Sequence, residues 1–422
     1  MVFDRHRPVP DNQGLDHRLA QKGADPPMSH LFNTYVRMPI TLVRGEGAWL
    51  YDDQGQRYLD ALSGIAVCSL GHAHPRIATA LADQAGKLIH TANIVHLREQ
   101  EALADRLAEI SGLDRAFIAN SGAEAIECAL KLARRHAHAR DIQRPAVLVA
   151  SDSFHGRTLA ALSASGNTGI QAGFGPLVDG FVRVPYGDSA AAAAAFAEHP
   201  DLVAVLVEPI QGEGGVRLPP DRYLADLRAL CDRHQALLML DEIQTGIGRT
   251  GRWFAYQHIP GLRPDVVTVA KALGNGVPIG ACLAREEVAA LMPPGSHGTT
   301  FGGNPLACRV ALEVLAIMSE QDIPARAACA GERLLTALKA GLADHPEVRE
   351  VRGRGLMIGV ELNQDCAELK DAAMARGLIM NVTRSNTIRL LPPLIVDDAQ
   401  IDRIAATVVD LVVEKFETAA VG

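Results

Sequence analysis

The sequence predicts an α/β protein: a large, mostly parallel sheet domain over roughly residues 76–320, with a smaller α+β domain built from both chain ends. Two patterns predict it. Six short apolar runs, at 116–119, 146–150, 202–207, 236–240, 266–269 and 279–283, lack the alternation of a half-solvated strand. Both faces of each are therefore buried, as in a parallel sheet covered by helices. Between them apolar residues recur at helical spacing, first Ile126, Ala129, Leu130 and Ala133, later Leu224, Leu227 and Cys231.

Taken from the N-terminus, residues 1–27 are polar and proline-containing and read as a disordered arm. Residues 28–75 form the first part of the small domain; within them two strand-like pieces flank an Asp-Gln-Gly turn at 53–55. The alanine run 191–195 reads as a surface helix of high propensity. Beyond 320 long helical stretches take over, and the runs 353–361 and 387–391 look like strands of the small domain's second part, 321–422.

A chain of 422 residues exceeds the size at which one core stops growing, which agrees with two domains. Hydrophobic and charged contents of 48% and 21% are those of an ordinary globular protein, and a net charge of -8 gives no reason to expect nucleic acid or an anionic membrane as partner. The seven cysteines contain no C-x-x-C and read as reduced core residues rather than a disulfide or zinc framework. No apolar stretch is long enough to span a membrane and none resembles a signal peptide, so the expected location is the cytoplasm.

Lys271 is the residue that first points to chemistry. It follows the apolar run 266–269 and precedes a glycine-rich turn, where an ammonium either reaches solvent or is desolvated. Desolvation favours the neutral amine, a nucleophile for carbonyls, and pyridoxal phosphate is the cofactor aldehyde that exploits one. Asp241 ends another buried run at the edge where open parallel sheets bind ligands. A carboxylate there needs a cation, and a pyridinium nitrogen is one.

Asn120-Ser121-Gly122-Ala123-Glu124 lies between a strand and an amphipathic helix, so its backbone N–H groups suit a phosphate. The same residues also read as a plain helix cap with Glu124 closing a capping box. Phe154-His155-Gly156-Arg157 places a flat ring and a guanidinium at the same sheet edge, and Glu213 lies in a glycine-rich turn beside them. The run 296–305 is rich in hydroxyls and glycine and reads either as a phosphate loop or as a turn. Gly246-Ile-Gly-Arg-Thr-Gly251 matches a dinucleotide fingerprint, but no long helix follows it and no acid closes the next strand. The pairs His72/His74 and His136/His138 lack further ligands at metal spacing and read as structural.

In this order the motifs resemble the class III (ornithine/acetylornithine type) aminotransferases of pyridoxal-phosphate fold type I. The resemblance covers roughly 30–420 and rests on Phe154-His-Gly-Arg157, Glu208-Pro-Ile-Gln-Gly-Glu213, Asp241-Glu-Ile-Gln244, Lys271-Ala-Leu-Gly and Gly298-Thr-Thr-Phe-Gly-Gly-Asn-Pro. It implies that Lys271 binds the cofactor aldehyde and then carries the proton, that Asp241 pairs with the ring nitrogen, and that Gln244 contacts the ring hydroxyl. Phe154 and Ile243 would sandwich the ring. The phosphate would rest on Ser121, Gly122 and the Ala123 amide, with Thr300 supplied by the partner of a homodimer with shared active sites. Ala123 departs from the family, where threonine is common.

The resemblance also implies that Arg157 holds the donor carboxylate and that Arg389 receives the second carboxylate of glutamate, with Glu213 neutralising Arg389 for other donors. The segment 65–75 and the Gly298-Thr-Thr-Phe run are most similar to the acetylornithine-type members of arginine biosynthesis. The reaction then expected is a ping-pong transfer of the terminal amine of N2-acetyl-L-ornithine to 2-oxoglutarate. Succinylornithine, succinyldiaminopimelate and ornithine stay open as donors, and decarboxylation or aminomutation is an alternative chemistry on the same residues.

Overall fold

The computed structural model describes residues 30–419; the arm expected at 1–27 lies outside them. From Thr41 onward the chain forms one compact unit. The described residues before it, 30–40, contain no helix or strand.

A seven-stranded sheet organises that unit, in the order Arg115–Ala119, Gly280–Ala284, Val266–Val269, Leu237–Asp241, Leu202–Val207, Ala146–Ala150, Phe181–Val184. Gly280–Ala284 runs antiparallel to both neighbours, and the remaining pairings are parallel. The three strands Ala146–Ala150, Leu202–Val207 and Leu237–Asp241 are buried at every position, which is why their sequences do not alternate. Phe181–Val184 escapes sequence reading because it is a short edge strand carrying an exposed arginine.

Register decides where chemistry collects. Leu206 lies opposite Met239, and Asp241 opposite Thr268, so the parallel strands end together and deliver Glu208, Asp241 and Lys271 to one edge. Helix Gly122–His138 covers the sheet through Ala125, Ile126, Ala129 and Ala133, all fully buried, and its N-terminus opens at that same edge. The alanine run forms helix Ser189–Glu198, with Ala192, Ala195 and Phe196 facing inward.

Two four-stranded sheets complete the unit. In the first, Leu42–Glu46, Trp49–Asp52 and Arg57–Asp60 run antiparallel, and Leu378–Ile379 joins parallel to Arg57–Asp60, uniting the two ends of the chain. In the second, Val348–Arg354, Met357–Leu362, Thr387–Leu390 and Asn381–Thr383 pair antiparallel. The run 353–361 is thus not one strand but the corner of a hairpin. Gly355 turns it at φ +56°, and a Cβ there would meet the Arg249 carbonyl oxygen at 2.6 Å.

Arg249 locks the turn after Asp241 to the chain ends. Fully buried, it donates to the Leu356 carbonyl (3.0 Å), the Pro392 carbonyl (2.6 Å) and Ser69 Oγ (3.2 Å). Burial pulls its guanidinium down to about 9, with Asp60 opposing the shift. The segment 246–251 therefore makes a structural turn, followed by the short 3-10 helix Ala255–His258. Cysteines 128, 231, 282, 308 and 366 are buried and free as expected, whereas Cys329 is exposed, on the outer face of helix Ile323–Gly341. Among the described residues no group of three metal-ligating side chains occurs, and no helix is long and apolar enough to cross a membrane.

Candidate active site

A cavity of about 400 Å³ opens at the carboxyl edge of the large sheet. Lys271 enters it from the residue pair that follows strand Val266–Val269, with a backbone φ of +43° that a side chain rarely adopts. Protein packed around the amine, and secondarily the Arg389 guanidinium, lower its pKa from 10.5 to about 8, against the opposing pull of Glu213, Asp241 and Glu208. The lysine is therefore a poised nucleophile rather than a solvated strand-end charge.

Across the cavity, Asp241 is 4% exposed and accepts from the Ile243 amide (3.1 Å), while His155 Nδ1 lies 2.7 Å from Asp241 Oδ2. His155 Nε2 is buried without a partner among the described residues. Glu208, also buried, accepts from the amides of Phe154 (3.0 Å) and Gly212 (2.9 Å), and burial raises its carboxyl to about 7. It fixes the two turns that carry Phe154 and Glu213. Neither His155 nor Glu208 receives a role from the sequence, although both stand inside motifs quoted above.

At the helix entrance Ser121 Oγ accepts from the Glu124 amide (3.2 Å), and the Glu124 carboxylate accepts from the Asn120 amide (2.7 Å). The cap reading is real, yet the Ser121 hydroxyl can still donate, and the first-turn amides of Gly122 and Ala123 have no acceptor within the helix. A Cβ on Gly122 would stand 2.8 Å from Ile243 Cδ1, and one on Gly280 would stand 2.4 Å from the Ser121 carbonyl oxygen. Glycine at both places keeps the cradle open.

Ser121, Gly122, Ala123, Phe154, Arg157 and Glu213 line this one cavity, as do Asp241, Ile243, Gln244 and Lys271. Arg389 reaches it through Glu213, its Nη1 lying 2.5 Å from Glu213 Oε1. Thr300 does not line the cavity of its own chain; it lies on an exposed turn.

The residues present fit pyridoxal phosphate. Gln244 Oε1 is a buried acceptor with no partner among the described residues, suited to a ring hydroxyl. Asp241 offers a buried anion to a ring nitrogen, the free helix amides suit a phosphate, and the lysine amine suits an aldehyde.

Comparison with known proteins agrees. The family described as Aminotransferase class-III matches residues 32–412. The chain belongs to the class III aminotransferases. As a class III enzyme it is a pyridoxal-phosphate-dependent transaminase of fold type I. It is 51% identical to the acetylornithine aminotransferase of Nitrosomonas europaea over 91% of this chain and 98% of that protein. The crystal structure of the ornithine aminotransferase from Toxoplasma gondii superimposes with a TM-score of 0.89 at 35% identity, covering 92% of this chain and 94% of that one. Another structure of that parasite enzyme is described as having partial occupancy of pyridoxal phosphate at its active site. The acetylornithine aminotransferase from Elizabethkingia anophelis matches with a TM-score of 0.81 at 32% identity, over 91% of this chain and 96% of that one.

Proposed function

We propose that this class III aminotransferase transfers the terminal amine of N2-acetyl-L-ornithine to 2-oxoglutarate, giving N-acetyl-L-glutamate 5-semialdehyde and L-glutamate in arginine biosynthesis. The observation that carries the reading is the Arg389–Glu213 pair bordering the Lys271 cavity. A site alternating between a monocarboxylic donor and dicarboxylic glutamate needs a cation that can be covered and uncovered. Curated relatives at this identity that bear the acetylornithine name support the donor assignment.

When bound, pyridoxal phosphate supplies the electron sink for removal of a proton from the carbon bearing the amine. Asp241 would pair with a protonated ring nitrogen, and His155, 2.7 Å from its Oδ2, fixes the orientation of that carboxylate. Phe154 and Ile243 would bound the ring, Gln244 would meet its hydroxyl, and Ser121, Gly122 and Ala123 would hold the phosphate; all six line the cavity. Lys271 would bind the cofactor aldehyde and, as a free amine, carry the proton; burial lowers that amine's pKa to about 8. Arg157 holds the donor carboxylate, and Arg389 the second carboxylate of glutamate.

A homodimer with shared sites completes this reading. Thr300 is exposed on its own chain, and beside it Ile89, Ile94, Val95 and Phe301 leave apolar surface in contact with solvent. Asn93 ties the two segments by donating to the Thr299 (3.1 Å) and Gly302 (2.9 Å) carbonyls. Domain limits near 28–75, 76–320 and 321–422 and a cytoplasmic location belong to the same proposal.

The test is a set of specificity constants for acetylornithine, succinylornithine and ornithine on purified yellow enzyme whose colour bleaches with L-glutamate. Release of carbon dioxide instead of glutamate, or a preference for free ornithine, would overturn the assignment. Light scattering on the same sample tests the dimer.

A further inference from the structure

A second recess, of about 450 Å³, adjoins the Lys271 cavity and shares Phe154, Arg157 and Glu213 with it. Apart from Ile170, its remaining wall is polar or glycine, with Asp152, Asn167, Thr383 and Arg384. Glu213 is already answered by Arg389. Asp152 is the acid left, and it is held twice, by Arg384 Nη1 and by Arg217 Nη1 at 3.5 Å. Arg157 lies over the Phe154 ring, 5.7 Å from its centroid, with no acidic partner among the described residues. Arg157 and Arg384 line the recess with Asp152 and Glu213, and each of these acids has a further arginine partner outside the wall, Arg217 and Arg389, so four guanidiniums outnumber two carboxylates around it.

That charge discriminates among donors. A free diamino acid presents its distal end as a zwitterion, with no net charge. Acylation of the α-amine removes the ammonium and leaves a net anion, and an acyl group that ends in a carboxylate adds a second. With the reacting amine at Lys271 and the α-carboxylate on Arg157, which lines both spaces, the acyl chain would be directed toward the recess. There the Asn167 side-chain N–H groups make no hydrogen bond to the described residues, since only its Oδ1 is used, accepting from the Gly169 amide (2.9 Å). Arg384 likewise uses Nη1 alone.

Resting on the aminotransferase reading above, we propose that this recess is the acyl subsite and that Arg384 is its specificity-determining residue. Arg384 recognises the terminal carboxylate of a dicarboxylic acyl group. Asp152 does not become an orphaned anion when Arg384 turns to the substrate, because Arg217 retains it.

The experiment compares wild type with Arg384→Asn and Arg384→Lys, using N2-succinyl-L-ornithine, N2-acetyl-L-ornithine and L-ornithine as donors and L-glutamate as the reverse donor. Asparagine tolerates the left-handed backbone of this position, φ +53°, so the fold is kept, and an unchanged Tm checks it. Arg384→Asn is expected to lower kcat/KM for succinylornithine roughly tenfold or more, a loss of about 1.4 kcal/mol or greater. For acetylornithine the loss stays below about threefold, the glutamate half-reaction is unchanged, and Arg384→Lys restores part of the succinyl rate. Equal losses for both acylated donors, no loss for either, or a wild type inert toward succinylornithine while active on acetylornithine would overturn the subsite. A wild type that transfers from none of the three donors would instead overturn the aminotransferase assignment of the donor, so the two failures are distinct.

Discussion

Arg389 Nη1 lies 2.5 Å from Glu213 Oε1, and the guanidinium is 1% exposed while the carboxylate is about one-third exposed. The cation is anchored and the anion is the mobile partner. Arg389 also donates from Nε to Asn381 Oδ1 (3.2 Å), which holds it in place when the acid leaves, whereas Glu213 sits in a glycine-flanked turn.

Removing Glu213 therefore affects the two half-reactions differently. In Glu213→Ala the buried Arg389 is uncovered throughout, which suits glutamate and disfavours a donor with no second carboxylate. The donor half-reaction is expected to fall roughly 10- to 100-fold, with a much smaller change in the glutamate half. Single-turnover spectra of each half measure this, and equal losses would count against the switch.

Lys271 gives a pH signature. With its pKa near 8, the free-base fraction rises about tenfold per pH unit below that value and flattens above it. Uptake of pyridoxal phosphate by cofactor-free enzyme, followed by visible absorbance, should follow this curve. The folded pKa lies below the unfolded 10.5, so between about 8 and 10.5 the unfolded chain holds a proton the folded one has lost. Stability of the cofactor-free enzyme gains from this group as pH rises through that window. Lys271→Ala removes both effects and lowers turnover by roughly 10³-fold or more.

Arg249 is a structural counterpart to these residues. Arg249→Leu leaves the Leu356 and Pro392 carbonyls without their donor and empties a fully buried volume, and a loss of about 3–5 kcal/mol is expected. Thermal unfolding of the variant should show it as a lowered Tm even with cofactor bound. An unchanged Tm would mean that water replaces the guanidinium at no cost.

What the sequence makes legible here follows from the range of each interaction. The buried strands announce themselves because burial on both faces removes alternation, and the ends of those strands place Asp241 and Lys271 at the ligand edge. His155 is one of 15 histidines and meets Asp241 across 86 residues, a contact no local pattern encodes. The Arg389–Glu213 pair spans 176 residues and becomes visible only through resemblance to a family. Gly353–Glu361 misleads for the opposite reason: its apolar residues all follow Gly355, and the positive φ there joins them through a hairpin turn to the preceding strand.

Ala123 tests the phosphate cradle directly, because the family commonly has threonine there. A Cβ built on Gly156 would stand 3.1 Å from that of Ala123, so glycine at 156 leaves room beside Ala123, which also lines the cavity. In Ala123→Thr the added hydroxyl turns into the cavity beside Ser121 and gains one hydrogen bond to phosphate, worth about 1 kcal/mol. Dissociation of pyridoxal phosphate is then expected to slow about fivefold, with kcat little changed, since the phosphate is not where bonds break. The rate at which each protein loses the cofactor on dialysis measures the effect. Faster loss from the threonine variant would show that the wall near Gly156 admits no larger side chain, and that alanine is the residue this cradle requires.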